Sequence, residues 1–302
     1  YLSFFGEIAD SFTDEDTRKD EEKTKNDYAI KGGFDLNLKD YDFTTLYSRV
    51  GNHFNTTGGF AAQDLETLNF DGIWFMPLKI KFTHYLHMDR DNLSRTKSAT
   101  TKQLNPGGKF NFKLPLAINF DLGADMRKRF SVDKTTNSKT YTYTTSLARD
   151  FGLVYGTLRY TRTAVSDKVS ASQERDTDTV SLALDGSFSA KQVKFSWNAG
   201  EDVVHDHYKE ANKSDVLLAT NIGLKAVFPS TLTFQLRATL ADNDFYIHSS
   251  DSNNADYYFS VSRDLRKDLT FDVSYQHKSY RYFGGDNNYA ENFIRSSLNY
   301  KF

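Results

Sequence analysis

Apolar residues recur at every second position along much of this chain, and polar residues fill the places between. Tyr28, Ile30, Gly32, Phe34, Leu36 and Leu38 alternate with Lys31, Gly33, Asp35 and Asn37. Leu116, Ile118, Phe120, Leu122, Ala124 and Met126 alternate in the same way with Asn119, Asp121, Gly123, Asp125 and Arg127. Val180, Leu182, Leu184, Gly186 and Phe188 repeat the pattern, as do Leu232, Phe234, Leu236, Ala238 and Leu240. The last such set is Ile294, Ser296, Leu298, Tyr300 and Phe302. A helix scatters positions i, i+2 and i+4 around its axis, whereas a strand keeps them on one face. The pattern predicts an all-β chain of strands about 9–12 residues long, enough to cross a hydrocarbon layer when tilted.

The connections sort by length. Tight turns are predicted at 39–42, around Pro77, around Pro115, at 149–151, at 189–191, at Pro229-Ser230 and at 264–268. Three of the four prolines mark these turns, where a missing N–H costs no ladder bond. Longer polar segments fall between them, near 13–27, 55–64, 90–99, 131–138, 166–177, 203–215, 245–255 and 284–288. Eight loops alternating with seven turns give sixteen antiparallel strands, with both termini on the turn side. A soluble sandwich has no reason to sort its connections this way, but an up-and-down transmembrane β-barrel requires it. The expected architecture is one barrel domain over residues 1–302, its first strand (1 to about 12) paired with its last (about 289 to 302). Closure leaves no strand edge unpaired in lipid.

Composition fits this picture. The mean hydropathy is -0.61, yet 15% of the residues are aromatic. No stretch approaches the roughly 18–20 unbroken apolar residues of a membrane helix. A barrel wall reconciles the two facts, because only alternate residues of each strand face lipid. Tyr28, Tyr141, Tyr143, Tyr257, Tyr275 and Tyr300 suit the aromatic girdles found at headgroup level. The absence of cysteine excludes disulfides and thiolate metal sites. A net charge of -2 argues against nucleic acid as a partner. Tyr1 opens directly in strand-like sequence, so a leader or an upstream domain is expected ahead of it.

The terminal strand, with Leu298, Tyr300 and Phe302, resembles the C-terminal assembly signal of bacterial outer-membrane β-barrel proteins. That resemblance implies a bacterial outer-membrane location, the barrel-assembly machinery as a partner, and contact with outer-membrane lipid and lipopolysaccharide. Sixteen-stranded members include diffusion porins and the C-terminal barrels of exopolysaccharide exporters. No motif in this chain chooses between them. Porins of this size fold a long loop inward, whereas no loop here exceeds about fifteen residues. Either the passage is wide, or a periplasmic or lumen-plugging partner or upstream domain fills it.

If the apolar set faces lipid, the alternate set lines the lumen. That set is Lys31, Arg49, Lys79, Lys81, Lys109, Lys113, Arg127, Arg159, Lys194, Lys225, Arg237, Lys278, Arg295 and Lys301. Against these stand Glu7, Asp35, Asp71, Asp121, Asp125, Asp185, Asp272 and Glu291. So many charges cannot be buried unpaired, and sixteen strands leave room for water. The expectation is an aqueous channel with a mildly basic lining. Such a lining could select anions, although opposed charges pairing across strands is the simpler reading.

Other candidate chemistry is thin. The first loop mixes Asp14, Glu15, Asp16, Asp20, Glu21, Glu22 and Asp27 with Arg18, Lys19, Lys23 and Lys25. It could hold divalent cations that bridge lipopolysaccharide, but such a run is more often a solvated loop. Asp251 to Asp256 lacks the glycine and distal glutamate of a calcium loop. His205 and His207 have no evident third ligand, and no nucleophile-base pair emerges from the scattered histidines at 53, 84, 87, 248 and 277. No cofactor, metal or catalytic residue is expected. A passive channel for solutes or an exported polymer leads; a sheath or anchor for a partner protein comes second, and an outer-membrane enzyme third.

Overall fold

The computed structural model describes residues 1–14, 24–54, 64–95, 97–245, 251–282 and 288–301. Its strands are β1 (Leu2–Asp14), β2 (Thr24–Asn37), β3 (Tyr41–Val50), β4 (Leu65–Met76), β5 (Ile80–Asp91), β6 (Thr101–Leu114), β7 (Ile118–Ser131) and β8 (Asn137–Asp150). They continue as β9 (Val154–Asp167), β10 (Arg175–Ala190), β11 (Val193–Tyr208), β12 (Lys213–Val227), β13 (Leu232–Asp244), β14 (Ser252–Arg266), β15 (Leu269–Tyr282) and β16 (Tyr289–Tyr300). All sixteen form one sheet in which each strand is hydrogen-bonded to its sequence neighbour. The all-β, sixteen-stranded, up-and-down order read from the sequence is therefore the observed one. β1 and β16 end that order, and the closing pair expected between them is not part of it.

Two details differ from the expectation. The strands are longer, 10 to 16 residues. Sixteen residues at about 3.3 Å each span roughly 50 Å, more than an apolar layer demands. The segment expected as a loop at 203–215 is mostly ladder: His205 faces Val216, His207 faces Ser214, and only residues 209–212 connect β11 to β12. The reason is common to both. Polar side chains do not stop strand pairing; they mark where the pairing leaves lipid for water.

The turns on the other edge are tight and conformationally costly. Leu78 and Lys79 follow Pro77 with φ of 63° and 59°, and Leu116 and Ala117 follow Pro115 with φ of 63° and 55°. Two successive left-handed residues match the twist of paired strands, but a side chain there costs roughly 1–2 kcal/mol. Ala117→Gly should therefore stabilise the folded chain, by up to about 1 kcal/mol after the extra flexibility glycine gives the unfolded state. A urea midpoint that falls on this substitution would show the turn to be unstrained.

The chain forms two compact units. One holds Tyr1–Lys113, Asp121–Thr144 and Thr163–Glu174; the other holds Leu114–Phe120, Thr145–Arg162 and Arg175–Phe302. Neither contains an ordinary hydrophobic core. Phe54 is the one buried apolar residue among the described residues, while Phe4, Ile8, Ile222, Ile294 and Leu298 are all more than half exposed. A water-soluble sheet with so much exposed apolar surface would aggregate.

In the first unit the register stacks apolar rows across β3 to β6. Tyr41 faces Trp74, which faces Phe82, which faces Phe110. The next rows toward the loops are Phe43, Gly72, His84 and Gly108, then Thr45, Phe70, Leu86 and Pro106, then Tyr47, Leu68, Met88 and Leu104. His84 lies across Gly72, where a Cβ would collide with its ring. The second unit builds the same kind of face from Val203, Leu218 and Ile222 on β11 and β12, Leu236 and Leu240 on β13, and Tyr257 and Phe259 on β14. Trp197 covers Gly186 there as His84 covers Gly72.

Candidate channel-lining face

The opposite face of each unit is mostly polar, with Leu46, Ile73 and Phe75 in the first unit and Leu217 and Phe293 in the second as apolar exceptions. In the first unit it carries Glu7 beside Lys31, Asp35 beside Thr44, and Asp71 between Thr44 and Tyr85. Its charges and amides are knitted across strands. His87 Nε2 lies 2.9 Å from Asp71, Lys109 Nζ lies 2.8 Å from Asp121, and the Gln103 amide donates to Asp89 at 3.2 Å. Asn111 also donates to Asp121. Asp125 and Arg127 continue the alternation set by Asp121 along β7. These groups are solvated rather than buried, so each pair stabilises the fold little; their value is that they make the face wettable.

In the second unit the polar face holds a recess of about 520 Å³. Its floor takes Tyr155 from β9, Asp185 from β10, Asn198 from β11, Lys225 from β12, and Gln235 and Arg237 from β13. Alternation explains the set: Asp185 faces Asn198, Asn198 faces Gly223, and Gly223 faces Arg237. The Arg237 guanidinium stacks 4.5 Å over the Tyr258 ring, which holds the charge against the wall instead of across the space. The recess presents both signs of charge, planar amides and aromatic edges, a set suited to hydrated ions and hydroxylated solutes.

Most of the residues expected to line a passage fall on this face. Lys31, Lys81, Lys109, Lys194, Lys225, Arg237 and Asp71 do so by direct strand register, and Asp121 by its contacts with Lys109 and Asn111. Arg127, Asp125, Lys113 and Arg159 share the polar alternation of β7, β6 and β9. Two do not. Arg49 faces Ile30 and Glu66 on the apolar face, with its guanidinium 5.7 Å over the Tyr28 ring. Lys79 sits in the tight turn after Pro77 with φ 59°, outside the wall. A one-residue slip near a strand end moves a side chain to the opposite face, and both sit at such ends.

The basic excess also disappears. The longer strands bring Asp89, Asp202, Asp215 and Asp256 onto the polar face, none of which the sequence reading placed there. They belong to stretches beyond or at the edge of the strands as first drawn. Extending the alternation outward would have found them. The lining is mixed in sign.

The metal readings fare no better with geometry. Asp206 accepts a hydrogen bond from Thr177, while His205 and His207 sit at the alternate positions and therefore point away from it. Asp251 accepts from the Phe245 amide at 2.8 Å, and Asp256 accepts from Gln276 at 2.9 Å. Among the described residues no three His, Asp or Glu side chains gather as a metal site. The acidic first loop at 15–23 and His248 lie outside the described residues, as does Phe302. Leu298 and Tyr300 stand on the exposed apolar face of β16.

At the loop edge one carboxylate ties two connections together. Asp64, 2% exposed, accepts from the Ser94 amide at 3.1 Å and the Ser94 hydroxyl at 3.2 Å, with Lys97 Nζ at 3.5 Å. Burial alone would raise its pKa, but the Ser94 hydrogen bonds and the Lys97 charge together hold it below the ordinary carboxylate value. Its contribution is therefore fully present above about pH 4 and is lost as pH falls through the lowered value. Asp64→Ala should cost this local tie about 2 kcal/mol. Amide exchange at Ser94 should accelerate roughly thirtyfold while the strand amides are unchanged.

A sheet of sixteen sequential antiparallel strands, apolar on one face, polar on the other, with tight turns on one edge and longer loops on the other, is the fold of the outer-membrane β-barrel class. No protein-family model and no curated protein matches the sequence. Among solved structures, one match is Wzi, an outer-membrane protein involved in group 1 capsule assembly in Escherichia coli and described as a carbohydrate-binding β-barrel. It is 8% identical with a TM-score of 0.40, over 98% of this chain and 83% of that one. Another is an anion-selective porin from Comamonas acidovorans, 9% identical with a TM-score of 0.41, over 99% of this chain and 98% of that one. The strand order and the two faces, rather than these distant likenesses, define the class.

Proposed function

We propose that this chain forms a passive outer-membrane channel, its apolar face against lipid and its polar face lining a water-filled passage for hydrophilic solutes. One observation carries the reading. The face opposite the exposed apolar rows is predominantly Ser, Thr, Asn, Asp, Lys and Arg, including Asp185, Asn198, Lys225 and Arg237 around one recess. Charges of both signs on one wall need water beside them, and sixteen strands closed into a barrel would enclose enough space to supply it. The mixed lining favours weak ion selectivity over a strict anion preference.

The test is electrical. Purified protein added to a planar lipid bilayer should produce stepwise, weakly voltage-dependent conductance increases, with only slight preference between potassium and chloride. Protein that inserts and folds but carries no current would overturn the open-channel reading. It would favour instead a sheath or anchor whose interior is occupied.

A further inference from the structure

On the apolar face of the first unit, the last row before the loops changes character abruptly. Arg49 faces Glu66, Glu66 faces Arg90, and Arg90 faces Lys102, so four charged residues stand side by side on β3 to β6. Immediately below them, toward the turns, lies the row Tyr47, Leu68, Met88 and Leu104. Together with Phe130 from β7, that lower row floors a groove of about 380 Å³ whose rim is Glu66, Arg90 and Lys102. The carboxylate at the rim is engaged sideways: Tyr47 Oη donates to Glu66 at 2.8 Å. Lys128 adds a further cation, its Nζ 5.0 Å over the ring of Phe130.

Cations at this level are ordinary in a membrane wall, where long side chains reach up to the headgroups. A concave apolar recess directly beneath two of them, Arg90 and Lys102, is not. A flat wall offers a lipid chain only the tangential contact that any neighbouring lipid makes. This groove adds enclosed apolar surface for one chain, and Arg90 with Lys102 adds a paired donor set suited to phosphate oxygens. At the groove two cations, Arg90 and Lys102, stand against one carboxylate, Glu66, that Tyr47 already engages, while Asp89 at its edge belongs to the opposite face. With Lys128 nearby, the balance selects an anionic headgroup.

We infer that this groove is a binding site for an acylated, phosphate-bearing lipid of the outer leaflet. One acyl chain lies over Leu68, Met88, Leu104 and Phe130, and the headgroup phosphate sits on Arg90 and Lys102. The inference rests on the membrane-spanning reading above and goes further by naming a lipid class and its contacts.

The experiment places the full chain in nanodiscs of zwitterionic phosphatidylcholine, adds purified bis-phosphorylated lipid A, and counts retained lipids by native mass spectrometry after release. The unmodified chain should retain one lipid A molecule, and the same lipid stripped of phosphate should be lost. Arg90→Glu with Lys102→Glu should weaken retention at least tenfold. The milder Lys102→Gln, which leaves the strand ladder intact, should weaken it several-fold. Equal retention by the folded charge variants, or equal retention of phosphatidylcholine, would overturn the site while leaving the channel reading untouched. A chain that never enters the nanodisc would overturn both.

Discussion

Phe70→Arg should be among the most damaging single substitutions in this protein, whereas Asp71→Arg, one residue along, should be close to neutral. Phe70 stands between Thr45 and Leu86, with two apolar rows on its turn side and one on its loop side before the charges begin. It thus sits deep within the apolar band. A guanidinium at that depth costs roughly 2–4 kcal/mol. Asp71 points the other way, toward Thr44 and Tyr85, and its carboxylate is about half exposed beside His87. Exchanging one solvated charge for another there disturbs only an exposed pair. Denaturant unfolding in lipid vesicles measures both effects. Equal losses would mean that the two faces do not meet different solvents.

Reversing the cations of the recess should give the largest functional change. In the unmodified chain Lys225 and Arg237 offset Asp150 and Asp185 within one cluster, so ions of either sign pass with little bias. Lys225→Glu combined with Arg237→Glu leaves four carboxylates and no cation among those positions. The reversal potential in a potassium chloride gradient should then move clearly toward potassium, with a several-fold rise in the permeability ratio. The shift should be largest near 0.1 M salt, where screening extends about 10 Å, and small near 1 M, where it extends about 3 Å. An unchanged reversal potential at low salt, with conductance retained, would place the recess off the ion path.

How far the sequence could be read follows from what period-two alternation does and does not encode. Within the apolar band it is unambiguous, and the faces of Ile30, Phe34, Phe120, Leu182 and Leu236 were legible without coordinates. Turn positions were legible because Pro77, Pro115 and Pro229 each interrupt such a run. Beyond the band the signal fades, since both faces of a strand standing in water can be polar. His205, Asp206 and His207 read as loop for that reason, yet they belong to the ladder between β11 and its neighbours. Arg49 lies at the same boundary. A cation just above the apolar rows looks from the sequence like a lumen residue, and only its pairing with Ile30 and Glu66 shows which face it takes. The recess around Asn198 and Gln235 could not have been found by reading strands one at a time. It exists because register brings residues from five strands together, and register is a property of pairs.

The claim on which everything else depends is that the apolar face meets lipid and the polar face meets water, and the chain carries its own probes of it. Its two tryptophans, Trp74 and Trp197, both lie on the apolar face, one beside Phe82 and the other beside Leu224. Reconstituted in vesicles whose acyl chains carry bromine, the protein should lose most of its tryptophan emission, while aqueous iodide should quench little. Strong quenching by iodide with none by brominated chains would put the apolar face in water and contradict the account.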